Sequence, residues 1–595
     1  MKKKWLIRKT SAPVLELSKT TGLSDTIVTI LANRGIKEAS EIDKFVKASI
    51  KDLYNPLLMK DMDRGTEIIK EAIINNKNIV IYGDYDVDGV TSTVVLYKAL
   101  KYCRANVKYY IPDREHEGYG INSERIRMLK AEGAEVILTC DNGISAIEQT
   151  QVAKDLGLTV VITDHHEVPF VEDNKGIRSY VIPNADAVIN PKQQDCSYPF
   201  KLLCGAGIAY KFSTALFKKV GADLNYLDEL IEFAGIGTIC DVVDLIGENR
   251  IIAKNALFKL TSTKNIGLDA LMDVLGIKGK KISAGTIGFQ IGPCINATGR
   301  LETAALSVEL LLCEDKERAM ELALLLSDLN KKRQFMTTKN VEEIIQLIEN
   351  SDLKNDKVLV VFKEDVHESI AGIVAGKIKE RFNVPTIVIT GGKEMPKGSG
   401  RSIEEYNLFE ELLKCKNLIE KFGGHPMAAG LSIKKDNIAL LRRQLNDNCS
   451  LNSEDLLPKI RIDRRIPLNI ISLSLIQQLE ILEPFGKGNE TPVFAEKDVL
   501  IDKFYIFGKE ANVLKFNLIM EGTGRRIDAV YYDGVEEFKE LLRERYGEEY
   551  INLLSDYNYS KDKIKIDIIF YPYINHYNGI DYLQLRISTF RLSKP

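Results

Sequence analysis

The 595-residue sequence lacks several features that would assign it to a specialised class of proteins. It has no run of about 18 apolar residues, and its Lys-rich start, MKKKWLIRKT, leads into SAPVLELSKT instead of the apolar segment of a signal peptide. Its nine cysteines form no CxxC pair, which argues against a zinc ribbon and against a disulfide framework. These absences predict a cytoplasmic protein with buried free thiols and no membrane segment.

The sequence also lacks the basic excess that many nucleic-acid-binding proteins carry, because its net charge is −3. Basic residues do cluster at 278–281, 331–333 and 461–465, but each cluster alone is typical of a solvated face. Hydrophobic residues make up 45% and charged residues 28%, as in ordinary globular proteins. Any contact with nucleic acid must therefore be local, in a chain long enough for roughly two to four domains.

Short apolar segments that end in polar residues recur along the first half of the chain. Residues 78–82 (NIVIY) run into GDYDVDG and then into the helical stretch TSTVVLYKAL, and residues 107–112, 134–143 and 158–166 begin in the same way. Strands that alternate with helices predict an α/β fold with a doubly wound parallel sheet, whose ligands bind beyond the carboxyl ends of the strands. The acidic and histidine residues fall at those ends.

The pattern changes further along the chain. Residues 205–305 are predicted to be mainly helical, and 303–350 to form a long amphipathic helix between two lobes. A second α/β pattern (KVLVVF, GIVAGKIKERF, VPTIVIT) follows, and β-rich segments from about residue 455 predict a small OB-like barrel. The predicted organisation is an N-terminal helical preamble packed on the core (1–77), a first α/β domain (78–305), a connecting helix (306–350), a second α/β domain (351–455) and the barrel (456–595).

Carboxylates and histidines are concentrated in the segments GDYDVDG, TCDNG, TDHH and ICDVVD. Carboxylates crowded together repel one another unless a cation neutralises them, so a buried cluster implies a divalent metal. Mixed carboxylate and imidazole ligands suit manganese, with magnesium and zinc as alternatives. Two ions about 3.5–4 Å apart with a shared carboxylate would clamp an attacking water and the phosphoryl oxygens. The residues concerned are Asp84, Asp86, Asp88, Asp141, Asp164, His165, His166 and Asp241.

Two other interpretations compete for these aspartates. DYDVDG fits the opening of an EF-hand calcium loop, but the twelfth position is Val95 where a bidentate Glu is needed, and an apolar strand precedes the motif. Isolated aspartates are more often turn residues or helix caps, and Asp244 stays in that class. Only six histidines occur in the chain and two are adjacent at a predicted strand end, so the joint occurrence favours a metal site.

DYDVDG, CDNG and the literal Asp164-His165-His166 resemble the signature of the DHH phosphoesterase superfamily. Further motifs narrow the resemblance to its RecJ-type exonucleases, over residues 78 to 500. The resemblance implies a DHH catalytic domain at 78–305, a DHH-associated substrate-binding domain at 351–455 and an OB-like nucleic-acid-binding domain at 456–595. The additional motifs are DREHEGYGIN (113–122), CGAGIAYK (204–211), FAGIGTICDVVDL (233–245), INATGRL (295–301), GSGRS (398–402), FGGHPMAAG (422–430) and EPFGKGNETPVF (483–494).

The resemblance also implies a set of metal ligands, with Asp141 as the bridge between two Mn²⁺ ions or two Mg²⁺ ions. Asp141, Asp86 and His166 would be catalytic, and His166 would either orient the scissile phosphate or protonate the leaving oxygen. Some relatives carry a histidine ahead of the first acidic pair, whereas Tyr82 and Gly83 precede Asp84 here, so among the implied ligands Asp84 has the weakest support from the family pattern. The implied ligands are Asp84, Asp86, Asp88, Asp141, His165 and Asp241.

The second lobe of the family grips the end of the substrate, and GSGRS and FGGHPMAAG are the matching segments. Glycines expose backbone N–H groups to a phosphate and arginine supplies a bidentate fork. No GK[ST] follows these loops, so a nucleotide-binding P-loop is not indicated. The resemblance implies that a terminal 5′ phosphate and the adjoining nucleotide are bound by Arg114, Tyr119, Arg300, Ser399, Arg401 and His425, with Tyr119 stacking on a base.

The function implied is that of a metal-dependent 5′-to-3′ exonuclease that hydrolyses single-stranded DNA to 5′ mononucleotides in DNA repair and recombination. Its expected partners are a helicase and a single-strand-binding protein, and a monomeric state is expected. One alternative is a DHH phosphodiesterase of short oligonucleotides or cyclic dinucleotides, which would resemble only the two catalytic lobes. A second is a catalytically silent replication scaffold, which would be expected to lose acidic ligands. The predicted barrel and the intact DHH residues favour an active, polymer-handling enzyme.

Overall fold

The computed structural model describes residues 3–114, 117–118, 120–172, 178–392, 394–508, 511–520, 522–548, 564–577 and 579–593. The chain forms two compact units. The first comprises residues 53–243 and 251–458, and the second comprises residues 3–52, 244–250 and the chain from Lys459 onward. Among the described residues, no helix is both long enough and apolar enough to span a bilayer.

The strands alternate with helices in the first unit and follow one another in the second. The strands are β1 (Lys4–Ile7), β2 (Ile79–Tyr82), β3 (Val107–Tyr110), β4 (Val136–Cys140), β5 (Thr159–Thr163), β6 (Phe170–Glu172), β7 (Arg178–Tyr180), β8 (Ala187–Ile189), β9 (Leu359–Phe362), β10 (Thr386–Thr390), β11 (Lys397–Arg401), β12 (Lys421–His425), β13 (Ala428–Ser432), β14 (Lys459–Ile462), β15 (Arg464–Arg465), β16 (Phe494–Phe507), β17 (Val513–Ile519), β18 (Arg526–Tyr532), β19 (Lys565–Tyr577) and β20 (Ile580–Leu592).

The helices are α1 (Val14–Thr21), α2 (Asp25–Asn33), α3 (Ala39–Lys47), α4 (Met62–Ile74), α5 (Val87–Tyr102), α6 (Ser123–Ala131), α7 (Ile147–Asp155), α8 (Gly205–Val220), α9 (Leu227–Cys240), α10 (Gly247–Leu260), α11 (Ile266–Val274), α12 (Ala284–Thr286), α13 (Gly292–Leu301), α14 (Ala305–Leu312), α15 (Lys316–Glu349), α16 (Glu368–Phe382), α17 (Leu408–Lys414), α18 (Ile438–Asp447), α19 (Leu473–Glu480) and α20 (Val535–Tyr546). A π-helical turn, Ile287–Ile291, joins α12 to α13.

The first lobe of unit 1 is built on a five-stranded parallel sheet in the order β3-β2-β4-β5-β8. Its central strands are continuous apolar runs such as VILTC in β4, because both faces of the sheet are buried. This confirms the α/β fold that the sequence predicts. Strand β2 directly precedes the GDYDVDG segment and α5 begins within it at Val87, so the helix–loop–helix of an EF-hand is excluded.

The second lobe of unit 1 carries a sheet in the order β12-β13-β11-β10-β9. Strands β9 and β10 are parallel, and β11, β12 and β13 extend the sheet in antiparallel fashion. The region expected to form one helix over 303–350 is instead two helices, because α14 ends at Leu312 and Asp315 caps the start of α15 by accepting from the Arg318 N–H. Helix α15 packs on α11 and α13 in the first lobe and on α16 in the second.

Unit 2 contains a closed barrel, since β16, β17, β18, β20 and β19 pair in sequence and β19 pairs again with β16. This confirms the OB-like fold. Helices α1 to α3 share the barrel's apolar core, where Ile27 and Leu31 cluster with Ile466 and Phe494. Strand β1 also pairs with β14, so residues 3–52 join this unit and only α4 of the expected N-terminal preamble lies in the first unit.

Candidate metal centre

The acidic and histidine residues meet at one edge of the first parallel sheet. Strand β2 ends at Tyr82 just before Asp84, β4 ends at Cys140 just before Asp141, and β5 ends at Thr163 just before the Asp164-His165-His166 segment. Because β2, β4 and β5 are parallel neighbours, their carboxyl ends lie side by side. Asp241 joins them from the C-terminus of α9.

Helix N-termini fix two of the aspartates of the first motif. The Asp86 carboxylate caps α5 by accepting from the Gly89 N–H at 3.0 Å. The Asp88 carboxylate accepts from the Gly205 and Ala206 N–H groups, at 2.6 and 2.8 Å, at the start of α8. A Cβ at Gly205 would lie 2.6 Å from the Asp141 Cβ, so only glycine allows α8 to approach this closely.

Asp141 is held in an unusual position. Its φ is 62°, in the left-handed region, and its side chain is buried. The Oδ1 atom makes no hydrogen bond within the described residues, although His165 Nε2 lies only 3.0 Å away, and buried Asp84 Oδ1 is equally unsatisfied. Buried acceptors without donors are costly, and a cation would satisfy them. The donor set therefore fits a divalent metal.

The side chains fall into three adjoining groups of potential ligands. Within each group the ligand atoms lie within 4.8 Å of one another. Asp141 and His165 each belong to two groups, so the groups share members and form one continuous cluster. The groups are Asp84 with Asp86 and Asp141, Asp88 with His165 and Asp241, and Asp141 with His165 and His166.

Burial and mutual repulsion shift the pKa values of this cluster. Burial, with Asp88 and Asp86 nearby, raises the pKa of Asp241 to about 8, and burial with the Asp86 charge raises the pKa of Asp88 to about 6. The pKa values of Asp84 and Asp141 are raised for the same reasons. Burial, followed by the His166 charge, lowers the pKa of His165 to about 3, so this imidazole is neutral and suited to metal ligation.

Asp164 has a different role from the aspartates around it. Its carboxylate accepts hydrogen bonds from the Ile144, His165 and His166 N–H groups, and its Oδ1 lies 2.7 Å from His166 Nδ1. Burial alone would lower the pKa of His166, but the contact with Asp164 outweighs it and raises that pKa to about 9. The Asp164 carboxylate therefore anchors the Asp164-His165-His166 loop and favours the protonated form of His166. This role follows from the distance between Asp164 and the His166 ring, which the sequence alone does not give.

A cavity of about 330 Å³ in unit 1 contains two of the residues predicted to bind the substrate, Arg114 and Ser399. Lys397 and Lys421 also line it, and the sequence did not single them out. The only local signal was for Lys397, because the alternation of β11 puts it on the same face of the strand as Ser399 and Arg401; Lys421 lies on β12. Glu368 at the start of α16 lines the cavity too and pairs with Lys397 at 2.8 Å.

The other predicted substrate-binding residues lie outside the lining of this cavity. Arg300 donates to the Ser369 carbonyl in α16, and burial, followed by the Arg114 charge, lowers its pKa to about 9. Arg401 donates to the Gly400 carbonyl at 2.8 Å and packs so closely on α16 that a Cβ at Gly372 would lie 2.8 Å from its Nη2. His425 is exposed at the end of β12. Tyr119 lies outside the described residues.

Three family models match the chain in the order of its domains. The DHH family N-terminal domain matches residues 78–238, the DHHA1 domain matches 355–451 and the RecJ OB domain matches 462–589. The single-stranded-DNA-specific exonuclease RecJ of Bacillus subtilis is 40% identical over 538 residues, which cover 89% of this chain and 66% of that protein. The protein of the same name from Dickeya dadantii is 32% identical over 542 residues, 88% of this chain and 91% of the relative.

Solved structures agree with these matches. The Mn²⁺ complex of RecJ from Thermus thermophilus aligns over 100% of this chain and 80% of its own, with a TM-score of 0.81 at 23% identity, and so supports the fold. A structure of exonuclease RecJ bound to manganese aligns over 67% of this chain and 96% of its own, with a TM-score of 0.57 at 29% identity. The sequence motifs, the domain order and the extent of identity lead to one conclusion: the chain belongs to the RecJ family.

Proposed function

We propose that the protein is a metal-dependent exonuclease that removes 5′ mononucleotides from single-stranded DNA. The observation that carries this proposal is the cluster of ligand groups that share Asp141 and His165, with unsatisfied buried carboxylate oxygens among them. The relatives named single-stranded-DNA-specific exonuclease support the choice of substrate. Roles in DNA repair and recombination, delivery of the strand by a helicase and a single-strand-binding protein, and a monomeric state belong to the same proposal.

Two divalent cations would be held at the sheet edge, Mn²⁺ by preference and Mg²⁺ as a substitute. Bound there, they would supply an activated water and neutralise charge on the phosphoryl group. Asp141 and His165 both belong to two of the three groups, and Asp141 would be the shared ligand because a carboxylate has two oxygens to offer to two cations. The full ligand set would be Asp84, Asp86, Asp88, Asp141, His165 and Asp241.

His166 would act on the substrate itself. Its pKa of about 9 keeps the imidazole protonated at neutral pH, so it can donate a hydrogen bond or a proton. The Asp164 carboxylate accepts a hydrogen bond from His166 Nδ1 at 2.7 Å and so fixes the orientation of the imidazole ring. A protonated His166 beside the scissile phosphate would either hold a non-bridging oxygen or protonate the leaving oxygen.

The 5′ end of the strand would be bound in the second lobe. The cavity that contains Arg114, Lys397, Ser399 and Lys421 is of a size for a phosphate with part of its nucleotide, and three of these side chains carry positive charge. Arg300 and Arg401 are half-buried and contact α16. Together with His425, they would add to the positive potential around the terminal phosphate. Tyr119 keeps its predicted role of stacking on a base.

The barrel would contribute a further surface for the strand. Tyr505 and Lys515 are register neighbours across β16 and β17, and the guanidinium of exposed Arg586 lies 5.4 Å from the ring centre of exposed Tyr532, so aromatic rings lie beside cations on the barrel surface. Aromatic rings with positive charge are a sequence-tolerant platform for single strands. We assign the catalytic domain to 78–305, the substrate-binding domain to 351–455 and the nucleic-acid-binding domain to 456–595, with 306–350 as the connection between lobes.

The decisive experiment is digestion of 5′-labelled and 3′-labelled single-stranded DNA by the purified protein with Mn²⁺, beside duplex DNA and RNA. The proposal expects rapid release of a labelled mononucleotide from the 5′-labelled strand, progressive shortening of the 3′-labelled strand, and a resistant blunt duplex. Hydrolysis of only di- to tetranucleotides or cyclic dinucleotides would instead indicate the small-substrate branch of the superfamily. Absence of any hydrolysis with intact folding would indicate a scaffold.

A further inference from the structure

Phe289 is the most exposed of the large apolar side chains in the described part of the chain. It is 82% exposed, in the π-helical turn Ile287–Ile291. Its neighbours Ile287 and Ile291 are fully buried, so the turn is anchored while the phenyl ring stands in solvent. π-Helical turns are rare and occur frequently at functional sites. An anchored, exposed aromatic ring in such a turn calls for a partner.

The turn lies beside the metal centre. Gly292, directly after the turn, packs on α9 so closely that an added Cβ would lie 2.4 Å from Cys240 Sγ, and Cys240 is the residue before Asp241. The residue after Asp241, Val242, is 60% exposed and has a φ of 57°, which is a strained conformation for a β-branched side chain. The chain thus presents an exposed apolar side chain directly beside Asp241 and the charged cluster.

The opposite end of α13 points to the second lobe. Gly299 packs on the Tyr85 carbonyl in the first metal loop, where a Cβ would lie 2.4 Å away, and Arg300 donates to the Ser369 carbonyl in α16. The helical rise from Gly292 to Arg300 is a distance of roughly 12 Å. Along α13 the order is therefore Phe289, then the metal ligands, then the lobe that carries the cavity for the 5′ end.

We infer that Phe289 stacks on a base on the 3′ side of the scissile phosphodiester. This inference depends on the proposed function, because it takes the 5′ end to lie in the second lobe. A strand that starts there and crosses the metal ligands continues toward Phe289. The unstacked bases of a single strand present their faces to such a ring, whereas paired bases of a duplex do not, so this contact contributes to selectivity for single strands.

The test is a double-mutant cycle between the protein and the DNA. Phe289→Ala is compared with Phe258→Ala, which removes a phenylalanine that is 76% exposed on α10 and serves as the matched control. Both variants digest intact single strands and a series of oligomers, each with one abasic site at a successive position from the 5′ end. Loss of the ring is expected to weaken binding or slow digestion of intact strands about fivefold or more, the range of base–aromatic stacking. Phe258→Ala is expected to match the wild type.

The cycle separates stacking from other effects. For one position near the 5′ end, the abasic site is expected to slow the wild type as much as Phe289→Ala does, and the two changes together are expected to cost no more than either alone. Phe289→Trp is expected to retain the wild-type rate and Phe289→Leu to be slowed as much as Phe289→Ala, because only Trp keeps a π-face. Additive losses at every position, or a Leu variant as active as the Trp variant, would overturn the inference. Failure of the wild type to digest DNA would instead refute the proposed function.

Discussion

The candidate metal centre and the cavity lined by Arg114, Lys397 and Lys421 are built on opposite electrostatic principles, although both lie in the same unit. The candidate metal centre gathers aspartates whose pKa values burial and repulsion raise, so their charged forms are disfavoured without a cation. The cavity is lined by cations and already contains a neutralising partner, since Glu368 pairs with Lys397. On the proposed function, the first region would need a bound cation, and in the second an anion would displace the internal Glu368–Lys397 pair.

The largest effect is expected from the residue that joins the metal groups. Asp141→Ala is expected to fold normally and to hydrolyse DNA more than about 100-fold more slowly. Removal of a residue that only supports a metal ligand costs about 10- to 100-fold, and removal of a ligand itself is expected to cost more. The measurement is the initial rate on 5′-labelled single-stranded DNA with saturating Mn²⁺, with Asp244→Asn as the control because this aspartate belongs to none of the three groups. Full activity of Asp141→Ala would refute the shared-ligand assignment.

Asp164→Asn sharpens the distinction between ligands and positioning residues. The amide keeps an acceptor for the His165 and His166 N–H groups, loses the one for the Ile144 N–H group, and removes the negative charge that raises the pKa of His166. We expect a loss of about 10- to 100-fold in rate and an alkaline limit of activity that moves to lower pH, because His166 then loses its proton below about pH 9. A pH–rate profile measures both. An unchanged alkaline limit would show that His166 does not act in its protonated form.

Arg401→Ala tests the cationic region. A charge-assisted hydrogen bond contributes about 1.5–3 kcal/mol, so binding of a 5′-phosphorylated strand is expected to weaken roughly tenfold or more while a 5′-hydroxyl strand is affected less. Lys421→Ala is expected to change the same ratio because Lys421 lines the cavity. Lys434→Ala, which removes an exposed lysine paired with Glu420, is the control. Equal losses on both strands would argue against recognition of the terminal phosphate.

The smallest effect is expected on the stability of the metal-free protein. The pKa values of Asp88 and Asp241, about 6 and about 8, lie above their usual value, so between about pH 4 and pH 8 these groups bind more protons in the folded state than in the unfolded state. Their contribution to the free energy of unfolding therefore falls as the pH rises through this window. With a chelator, the unfolding temperature is expected to be a few degrees lower at about pH 8 than at about pH 6.

Mn²⁺ provides the control for this effect, because a bound cation removes the penalty on the charged carboxylates. The increase in unfolding temperature on adding Mn²⁺ is expected to be larger at about pH 8 than at about pH 6, since fewer protons compete for the ligands. Asp241→Asn should flatten the pH dependence of the metal-free protein. A Mn²⁺ effect that is the same at both pH values would contradict the assignment of these carboxylates to the cation.

The contrast between the two regions also explains what the sequence could predict. The metal centre was predictable because most of its members follow an apolar strand, and parallel strands bring their carboxyl ends together. The proximity of Lys397 and Lys421 was not predictable, because it depends on the register of β11 and β12, which both pair in antiparallel fashion with β13. The break between α14 and α15 was missed because Leu312 and Cys313 continue the apolar pattern, and the Asp315 cap overrides it. The attachment of α1 to α3 to the barrel rests on long-range apolar contacts that local patterns do not encode.

Helix α15 has a consequence for the size of the product. It is 34 residues long, roughly 51 Å, and it packs on α13 beside the metal ligands and on α16 beside the cavity. In an enzyme that holds the 5′ end in that cavity, this one continuous helix would fix the distance between the bound 5′ end and the bond that is cut. The separation of the two lobes, and with it the length of the released fragment, would then be a property of the scaffold and not of the cleavage chemistry.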